Sequence, residues 1–111
     1  MSLTREKNGE ILLVSTAGQI NSANAAELER SLLEWVEEGE HKWVLDMAGL
    51  EYISSAGLRV VLLLAKRLKQ KGGHLVLCSL QPHVLEVFDI SGFLSILDVA
   101  DSRETAQSRH G

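Results

Sequence analysis

The sequence has few of the residues on which several protein classes depend. Among 111 residues there are one cysteine, one proline, two tryptophans, two phenylalanines and one tyrosine. The lone cysteine, Cys78, excludes an intrachain disulfide, and its place in an apolar strand predicts a small buried side chain. No low-complexity segment or proline-rich linker divides the chain, so we expect one globular domain over residues 1–111.

Long apolar runs and a basic charge balance are also missing. The longest apolar run, residues 60–65, is too short to cross a bilayer, so we expect a cytoplasmic protein without direct membrane insertion. A net charge of -4 argues against nucleic-acid binding, which depends on clustered positive charge. The one basic cluster lies at a helix end, where cations offset the helix dipole: Lys66, Arg67, Lys69 and Lys71.

Catalytic and metal-binding arrangements are absent from the sequence as well. The four histidines have no fixed relation to a serine nucleophile, and the pair Glu37 and Glu38 lies on a solvated helix face. No His-x₃-His or Cys-x₂-Cys spacing occurs, so we expect no metal site. Gly72 and Gly73 follow a helix instead of opening one, so they do not form a phosphate loop. We therefore expect neither an enzyme nor a cofactor.

Hydrophobic periodicity predicts an α/β fold. The predicted strands span residues 3–7, 11–17, 42–47, 74–80 and 94–99, and Gly9 turns the first pair into a hairpin. The predicted helices begin at Ser22 or Asn24, at Ser55, at Pro82, and at Asp101 or Ser102. Strands separated by helices pair in parallel. We expect a small mixed, mainly parallel sheet with about four packed helices.

Several side chains have a predicted place in this fold. Val84, Leu85 and Phe88 should face inward from the third helix. Trp35 and Trp43 occupy apolar positions of amphipathic elements and should pack in the core.

The C-terminal segment has a capping pattern. Glu104 is spaced to reach back to the start of the last helix as a capping-box partner. Residues 107–111 should fray, as chain ends commonly do.

The helix over residues 55–70 has two apolar stripes. The first is the face expected to meet the core: Leu58, Val61, Leu62, Ala65 and Leu68. The second consists of Val60, Leu63 and Leu64. Either this helix is unusually buried, or the second stripe contacts a partner.

Two adjacent serines precede this helix. A serine is a favoured N-cap, because its oxygen accepts a hydrogen bond from the first turn, but one serine meets that need. The other hydroxyl would remain exposed where helix N–H groups favour negative charge, so a phosphate could be held there. Gly57 allows other backbone to approach closely. The alternative is that Ser54 and Ser55 only cap the helix.

The segment from Val44 to Leu58, VLDMAGLEYISSAGL, resembles the signature of STAS domains, which include the bacterial anti-sigma factor antagonists. The resemblance extends to residues 17–21 (AGQIN) and 87–93 (VFDISGF), and so covers nearly the whole chain. It implies the same fold as the periodicity, a mainly parallel sheet with four helices.

The resemblance also implies a phosphoacceptor. In the antagonists it is the serine two places before the signature glycine, and Gly57 puts that position at Ser55. Ser54 occupies the place where the family usually has aspartate, which removes a negative charge and makes Ser54 a second candidate. Asp46 is expected to shape the strand-to-helix connection, or else to approach the acceptor hydroxyl.

By the same resemblance, the unphosphorylated chain would bind an anti-sigma factor that is also an ATP-dependent serine kinase, and so free a sigma factor. Phosphorylation would block binding, and a serine phosphatase would reset the protein. Arg59 would either pair with the phosphate or be an ordinary solvated charge. The expected partner-binding surface comprises Gln19, Asn21, Ser22, Ser54, Ser55, Ala56, Gly57, Leu58 and Arg59.

Two other functions fit the same residues. In the first, the phosphorylation switch controls a different output, such as secretion or a stress response. In the second, the chain is a STAS subunit that docks on a membrane lipid-transport ATPase and is not phosphorylated.

Overall fold

A five-stranded sheet in the order β1-β2-β3-β4-β5 forms the centre of the computed structural model, which describes residues 1–110. The strands are β1 (Ser2–Asn8), β2 (Ile11–Ile20), β3 (Lys42–Ile53), β4 (His74–Cys78) and β5 (Asp98–Ala100). β1 is antiparallel to β2, and the other neighbours are parallel. The alternation of strands and helices predicted this mixed, mainly parallel sheet correctly.

Helices cover both faces of the sheet. They are α1 (Ala25–Glu37), α2 (Ser55–Gln70), α3 (Pro82–Ile90), the 3-10 helix Phe93–Ser95, and α4 (Arg103–Ser108). The first three α-helices share the main core with alternate residues of the strands, whereas α4 covers a smaller cluster on the opposite face. This smaller cluster contains Leu13, Val44, Val76, Cys78, Ala100 and Ala106. No helix of residues 1–110 is long and apolar enough to cross a membrane.

Two strands run further than the hydrophobic pattern predicted. β2 continues through Gly18 to Ile20, and β3 continues alongside it to Ile53. Shifts in register keep the two strands paired, and Gly18 has φ +85°. Gln19 was expected in a loop, but it lies opposite Tyr52 within the sheet. The glycine that marked a strand end is therefore an irregularity inside a longer strand.

The end of the sheet also differs from the prediction. The predicted strand 94–99 was wrong, because Phe93 and Leu94 pack on the main core from a 3-10 turn, and β5 begins only at Asp98. A short apolar run does not by itself distinguish a strand from a helical turn. β4 ends at Cys78 rather than at residue 80, because Ser79 has φ +61° and leaves the extended conformation.

The helices bury most of the side chains that were predicted to face the core, with exceptions on α2 and α3. Leu85 was expected to face inward but is exposed, because α3 buries only the i, i+4 pair of Val84 and Phe88. On α2, Val60 and Leu64 of the second stripe are fully buried. The α2 helix is thus unusually buried, and these two side chains cannot contact a partner.

Both tryptophans pack as expected. Trp43 is completely buried and donates a hydrogen bond from Nε1 to the Glu40 carbonyl. Trp35 packs against it with 6.2 Å between ring centroids, and the guanidinium of Arg5 lies 4.7 Å from a Trp35 ring centroid. The basic cluster on α2 has a structural role, since Arg67 and Lys71 both pair with Glu37 of α1.

The C-terminal helix is capped and anchored. Ser102 is the N-cap and accepts a hydrogen bond from Thr105 N at 3.2 Å. The capping-box role of Glu104 was wrong, because a cap at Ser102 puts Thr105 in the third helical position. The expected fraying was also wrong for residues 107–110, since His110 Nε2 donates to the Trp43 carbonyl at 2.7 Å. Gly111 lies outside the described residues.

An ion cluster joins the C-terminal segment to β5. Asp98 accepts hydrogen bonds from His74 and Arg109, and Arg109 also donates to the Val99 carbonyl. Burial raises the pKa of the Asp98 carboxyl, but the hydrogen bonds and charges of His74 and Arg109 outweigh it, so this pKa lies below its usual value. The ionised carboxylate therefore stabilises the fold.

One buried polar atom has no partner among the described residues. The Thr16 hydroxyl lies at the register shift between β2 and β3, in a residue that is 2% exposed. A buried hydroxyl without a hydrogen bond costs about 1–3 kcal/mol.

We predict that Thr16→Val stabilises the protein by about 1 kcal/mol, because valine has nearly the same shape and no unpaired hydroxyl. Urea unfolding measures the change, and Thr4→Val on exposed β1 is the matched control. A lower stability for Thr16→Val would contradict the prediction and indicate that a buried water satisfies the hydroxyl.

We predict that Asp98→Asn lowers the free energy of unfolding at pH 7 by less than about 1 kcal/mol. A carboxyl whose pKa is lower in the folded state adds stability above its unfolded pKa of about 4, and this stability is lost as pH falls through the folded pKa. The difference in free energy of unfolding between the variant and the original protein should therefore disappear in acid. Urea titrations from pH 7 to pH 3 test this, and a gap independent of pH would count against it.

Candidate functional site

The two serines at the start of α2 have different environments. Ser54 is the N-cap, with extended backbone (φ −85°, ψ 172°), and its Oγ accepts a hydrogen bond from Gly57 N at 3.2 Å. Its own N–H donates to the Ile20 carbonyl at 2.8 Å. Ser55 is the first helical residue and is exposed. The cap is therefore provided by Ser54, which leaves the Ser55 hydroxyl accessible.

Gly57 fixes the position of this helix start. A Cβ at Gly57 would lie 2.6 Å from Ile20 Cγ2 and 2.7 Å from Ile53 Cγ1, closer than real contacts allow. The first turn of α2 thus packs directly on the ends of β2 and β3. A close approach of other backbone was predicted for this glycine, but the atoms that approach it belong to side chains.

The corner between β2 and α1 is held by two asparagines. Asn21 Oδ1 accepts from Ala23 N at 2.9 Å and from Asn24 N at 3.1 Å. Asn24 accepts from Asn21 N and donates to the Gln19 carbonyl, both at 2.9 Å. These bonds leave Gln19 and Ser22 exposed beside the start of α2. The sequence indicated Asn24 only as a possible cap, and its role in bracing this corner was missed.

Only part of the expected partner-binding set is at the surface. Gln19, Ser22, Ser55 and Arg59 are exposed, and Asn21, Ser54 and Ala56 are half-buried. Gly57 and Leu58 are buried, so their inclusion was wrong: they support the surface from below. The Arg59 side chain makes no hydrogen bond or ion pair with any residue of 1–110, and it lies one helical turn after Ser55.

Asp46 does not contact Ser55. Its Oδ2 accepts hydrogen bonds from Arg103 Nε at 3.0 Å and Nη2 at 2.8 Å, and its Oδ1 accepts from Ala48 N at 2.9 Å. The carboxylate thus fastens α4 to the sheet and shapes β3 just beyond its pairing with β4. The role is structural, but it is not the predicted one of shaping the strand-to-helix connection, because β3 continues beyond Asp46 to Ile53. The Asp46 carboxylate has its hydrogen bonds with Arg103 and Ala48 and none with Ser55.

The far part of β3 is braced on its second edge by α3. Gln81 Nε2 donates to the Ala48 carbonyl at 2.8 Å, and His83 Nε2 donates to the Glu51 carbonyl at 2.6 Å. Between these bonds and Ser54 lies Tyr52, which is 50% exposed. Tyr52 was not among the site residues predicted from the sequence, although it is the only tyrosine and lies close to the two serines in the chain.

The site has the chemistry of a binding surface. His83 is hydrogen-bonded to the backbone, and the other histidines lie at the opposite ends of the strands or in the C-terminal segment. Within residues 1–110 no group of three or more His, Cys, Asp or Glu side chains is placed to hold a metal. Cys78 is buried, and desolvation raises the pKa of its thiol, which disfavours the reactive thiolate.

Known proteins resemble this chain in sequence and in fold. The STAS domain family matches residues 2–106. The chain is 58% identical over 106 residues to BtrV of Bordetella bronchiseptica, provisionally named an anti-sigma factor antagonist, with 96% of this chain and 91% of that protein covered.

Solved structures of two other proteins share the fold. One is a Thermotoga maritima protein, provisionally described as an anti-sigma factor antagonist, with a TM-score of 0.92, 19% identity and coverage of 96% of this chain and 92% of the other. The second is the anti-sigma factor antagonist SpoIIAA in its unphosphorylated form, with a TM-score of 0.82, 20% identity and coverage of 97% and 95%. SpoIIAA from Bacillus has also been solved phosphorylated, and that form has a TM-score of 0.75, 19% identity and coverage of 99% and 100%. The chain belongs to the STAS domain family, and the relatives it matches are named anti-sigma factor antagonists.

Proposed function

We propose that residues 1–111 form one STAS domain that works as a phosphorylation-regulated anti-sigma factor antagonist. In its unphosphorylated form it binds an anti-sigma factor that is also a serine kinase, and this binding frees a sigma factor. The observation that carries the proposal is the division between the two serines. Ser54 caps α2, and Ser55 presents an exposed hydroxyl at the helix start.

Phosphorylation of Ser55 would prevent binding through charge. A phosphate adds about −1.5 to −2 charges and three acceptor oxygens. The exposed side chains of Gln19, Ser22 and Ser55 carry no charge, so a partner can pack against them without burying an ion. A phosphate in the same interface must be desolvated or expelled, and a buried charge without a partner is costly.

The fold tolerates the same phosphate. Negative charge at the N-terminus of α2 is favoured by the free helix N–H groups and the macrodipole. Arg59, one turn on, has its guanidinium available for a charge-assisted hydrogen bond. The existence of SpoIIAA structures in both unphosphorylated and phosphorylated forms supports a switch that leaves the domain folded.

The protein is a substrate in this scheme and not a catalyst. Within residues 1–110 the Ser55 hydroxyl makes no hydrogen bond to a histidine or a carboxylate that would activate it as a nucleophile, and His83 Nε2 is bonded to the Glu51 carbonyl. ATP belongs to the kinase, and a separate serine phosphatase restores the free hydroxyl. The chain itself needs neither a metal nor a cofactor, and we place it in the cytoplasm with its partners.

Capture of the tagged protein from its native cells tests the proposal. Mass spectrometry would identify the co-purifying proteins and the modification state of the peptide that contains Ser54 and Ser55. A serine kinase that co-purifies, with phosphate on Ser55, would support the switch. A sigma factor, a secretion component or a stress complex bound to that kinase would define the output. A membrane lipid-transport ATPase with an unmodified peptide would show that the chain is a docking subunit instead.

We predict opposite effects for two matched variants. Ser54→Ala removes the N-cap and should lower the free energy of unfolding by about 1 kcal/mol while Ser55 is still phosphorylated. Ser55→Ala should leave stability within about 0.5 kcal/mol of the original and abolish phosphorylation. Thermal unfolding and phosphopeptide analysis of both variants are required. Phosphate found on Ser54 in the Ser55→Ala variant would reverse the assignment of roles.

We predict that Ser55→Asp keeps the fold and loses the kinase partner. The carboxylate sits where helix N–H groups favour it, but it brings a charge into the interface. Circular dichroism should be unchanged, and partner capture should fall at least tenfold. Ser55→Asn is the control, because asparagine has the size of aspartate without its charge. This variant should retain most of the binding. Tight binding by folded Ser55→Asp would rule out the charge mechanism.

A further inference from the structure

Tyr52 is the one aromatic side chain with half of its surface in solvent. Trp43 and Phe88 are completely buried, and Trp35 and Phe93 pack against the main core. All of the chain's phenylalanine, tryptophan and tyrosine residues lie within residues 1–110, which the structure describes. About half of the Tyr52 surface is thus available to a partner, and the side chain combines an apolar ring with a hydroxyl that can form a hydrogen bond.

The backbone around Tyr52 is held on both edges. On one side Tyr52 lies opposite Gln19 in β2. On the other side His83 of α3 binds the carbonyl of Glu51, and the next residue, Ile53, is buried in the core. The ring is thus displayed from a fixed strand. Because this backbone is already fixed, binding of a partner to the ring costs little conformational entropy, which favours a strong contact.

Tyr52 lies within the reach of any partner that covers Ser55. Only Ile53 and Ser54 lie between them, so the Cα atoms of Tyr52 and Ser55 are at most about 11 Å apart. A protein interface of ordinary size buries about 800 Å² on each partner, which corresponds to a patch about 16 Å in radius. A patch centred on Ser55 therefore includes the position of Tyr52.

We propose that Tyr52 is the main affinity anchor for the kinase partner, a role that rests on the proposed function of Ser55. The partner's matching feature is a pocket with apolar walls and a hydrogen-bonding group that meets the phenol hydroxyl. Tyrosine is among the residues enriched at the energetic centres of interfaces. Tyr52 contributes affinity whether or not Ser55 is phosphorylated, whereas a phosphate on Ser55 adds the charge that opposes binding. Binding strength and regulation are thereby divided between two residues.

Ile90, the most exposed large apolar side chain of residues 1–110, does not meet these conditions. Ile90 is 78% exposed and ends α3, whereas the bonds between α3 and β3 come from Gln81 and His83 at the helix start. At 1.5 Å per residue, Ile90 lies roughly 10 Å along the axis from His83. Ile90 therefore serves as a matched control, an exposed apolar residue away from the serine site.

The test is a calorimetric titration of the purified serine kinase that the capture experiment recovers. Four proteins are compared: the original chain, Tyr52→Ala, Tyr52→Thr and Ile90→Ala. Threonine is readily accepted in strands, so Tyr52→Thr guards against loss of fold in the alanine variant. Circular dichroism and thermal unfolding confirm that each protein is folded. Tyr52→Phe, which keeps the ring and removes the hydroxyl, is titrated as a rescue variant.

We expect both Tyr52→Ala and Tyr52→Thr to raise the dissociation constant at least tenfold, Tyr52→Phe to recover most of the affinity, and Ile90→Ala to change it less than twofold. Undiminished binding by folded Tyr52→Thr would overturn the anchor and leave the proposed function intact. Failure of the original chain to bind any serine kinase would overturn the proposed function, and the anchor with it.

Discussion

The contact of Gly57 with Ile20 and Ile53 is the constraint on which the rest of the site depends. Without a side chain at position 57, the first turn of α2 rests on the ends of two strands, so sheet and helix meet at a fixed angle. The backbone bond from Ser54 N to the Ile20 carbonyl holds the same junction. The serine surface therefore needs no ligand to become ordered, and a partner meets it already formed.

Neighbouring serines with the same functional group have separate tasks because of their helix positions. The N-cap position turns the Ser54 oxygen back toward the helix, whereas the first helical position turns the Ser55 hydroxyl outward. A family that usually has aspartate at the first of these positions would fill the cap with a carboxylate. Serine caps the helix as well and leaves less negative charge beside the acceptor.

Sequence patterns predicted the parts of the fold that depend on local preference. Local signals include the alternation of strands and helices, the glycines that follow α2 and the serine cap before it, and the structure confirms them. The added length of β2 and β3 was not predictable, because a register shift breaks the alternation that identifies a strand. The pairing of Asp46 with Arg103 joins residues 57 apart, which no local pattern contains. Tyr52 was missed for a related reason, since its exposure depends on the strand being longer than predicted.

The helix α4 can cover the outer face of the sheet only after the strands and the serine surface have been made, because it follows them in sequence. Ala106, Arg103 and His110 close the second core and bind β3, yet they follow the whole serine surface in sequence. During synthesis the first 100 residues would emerge with the outer face of the sheet uncovered, and domains usually fold as units. A nascent chain that does not yet include α4 would therefore differ from the folded domain on the face of the sheet away from the serines.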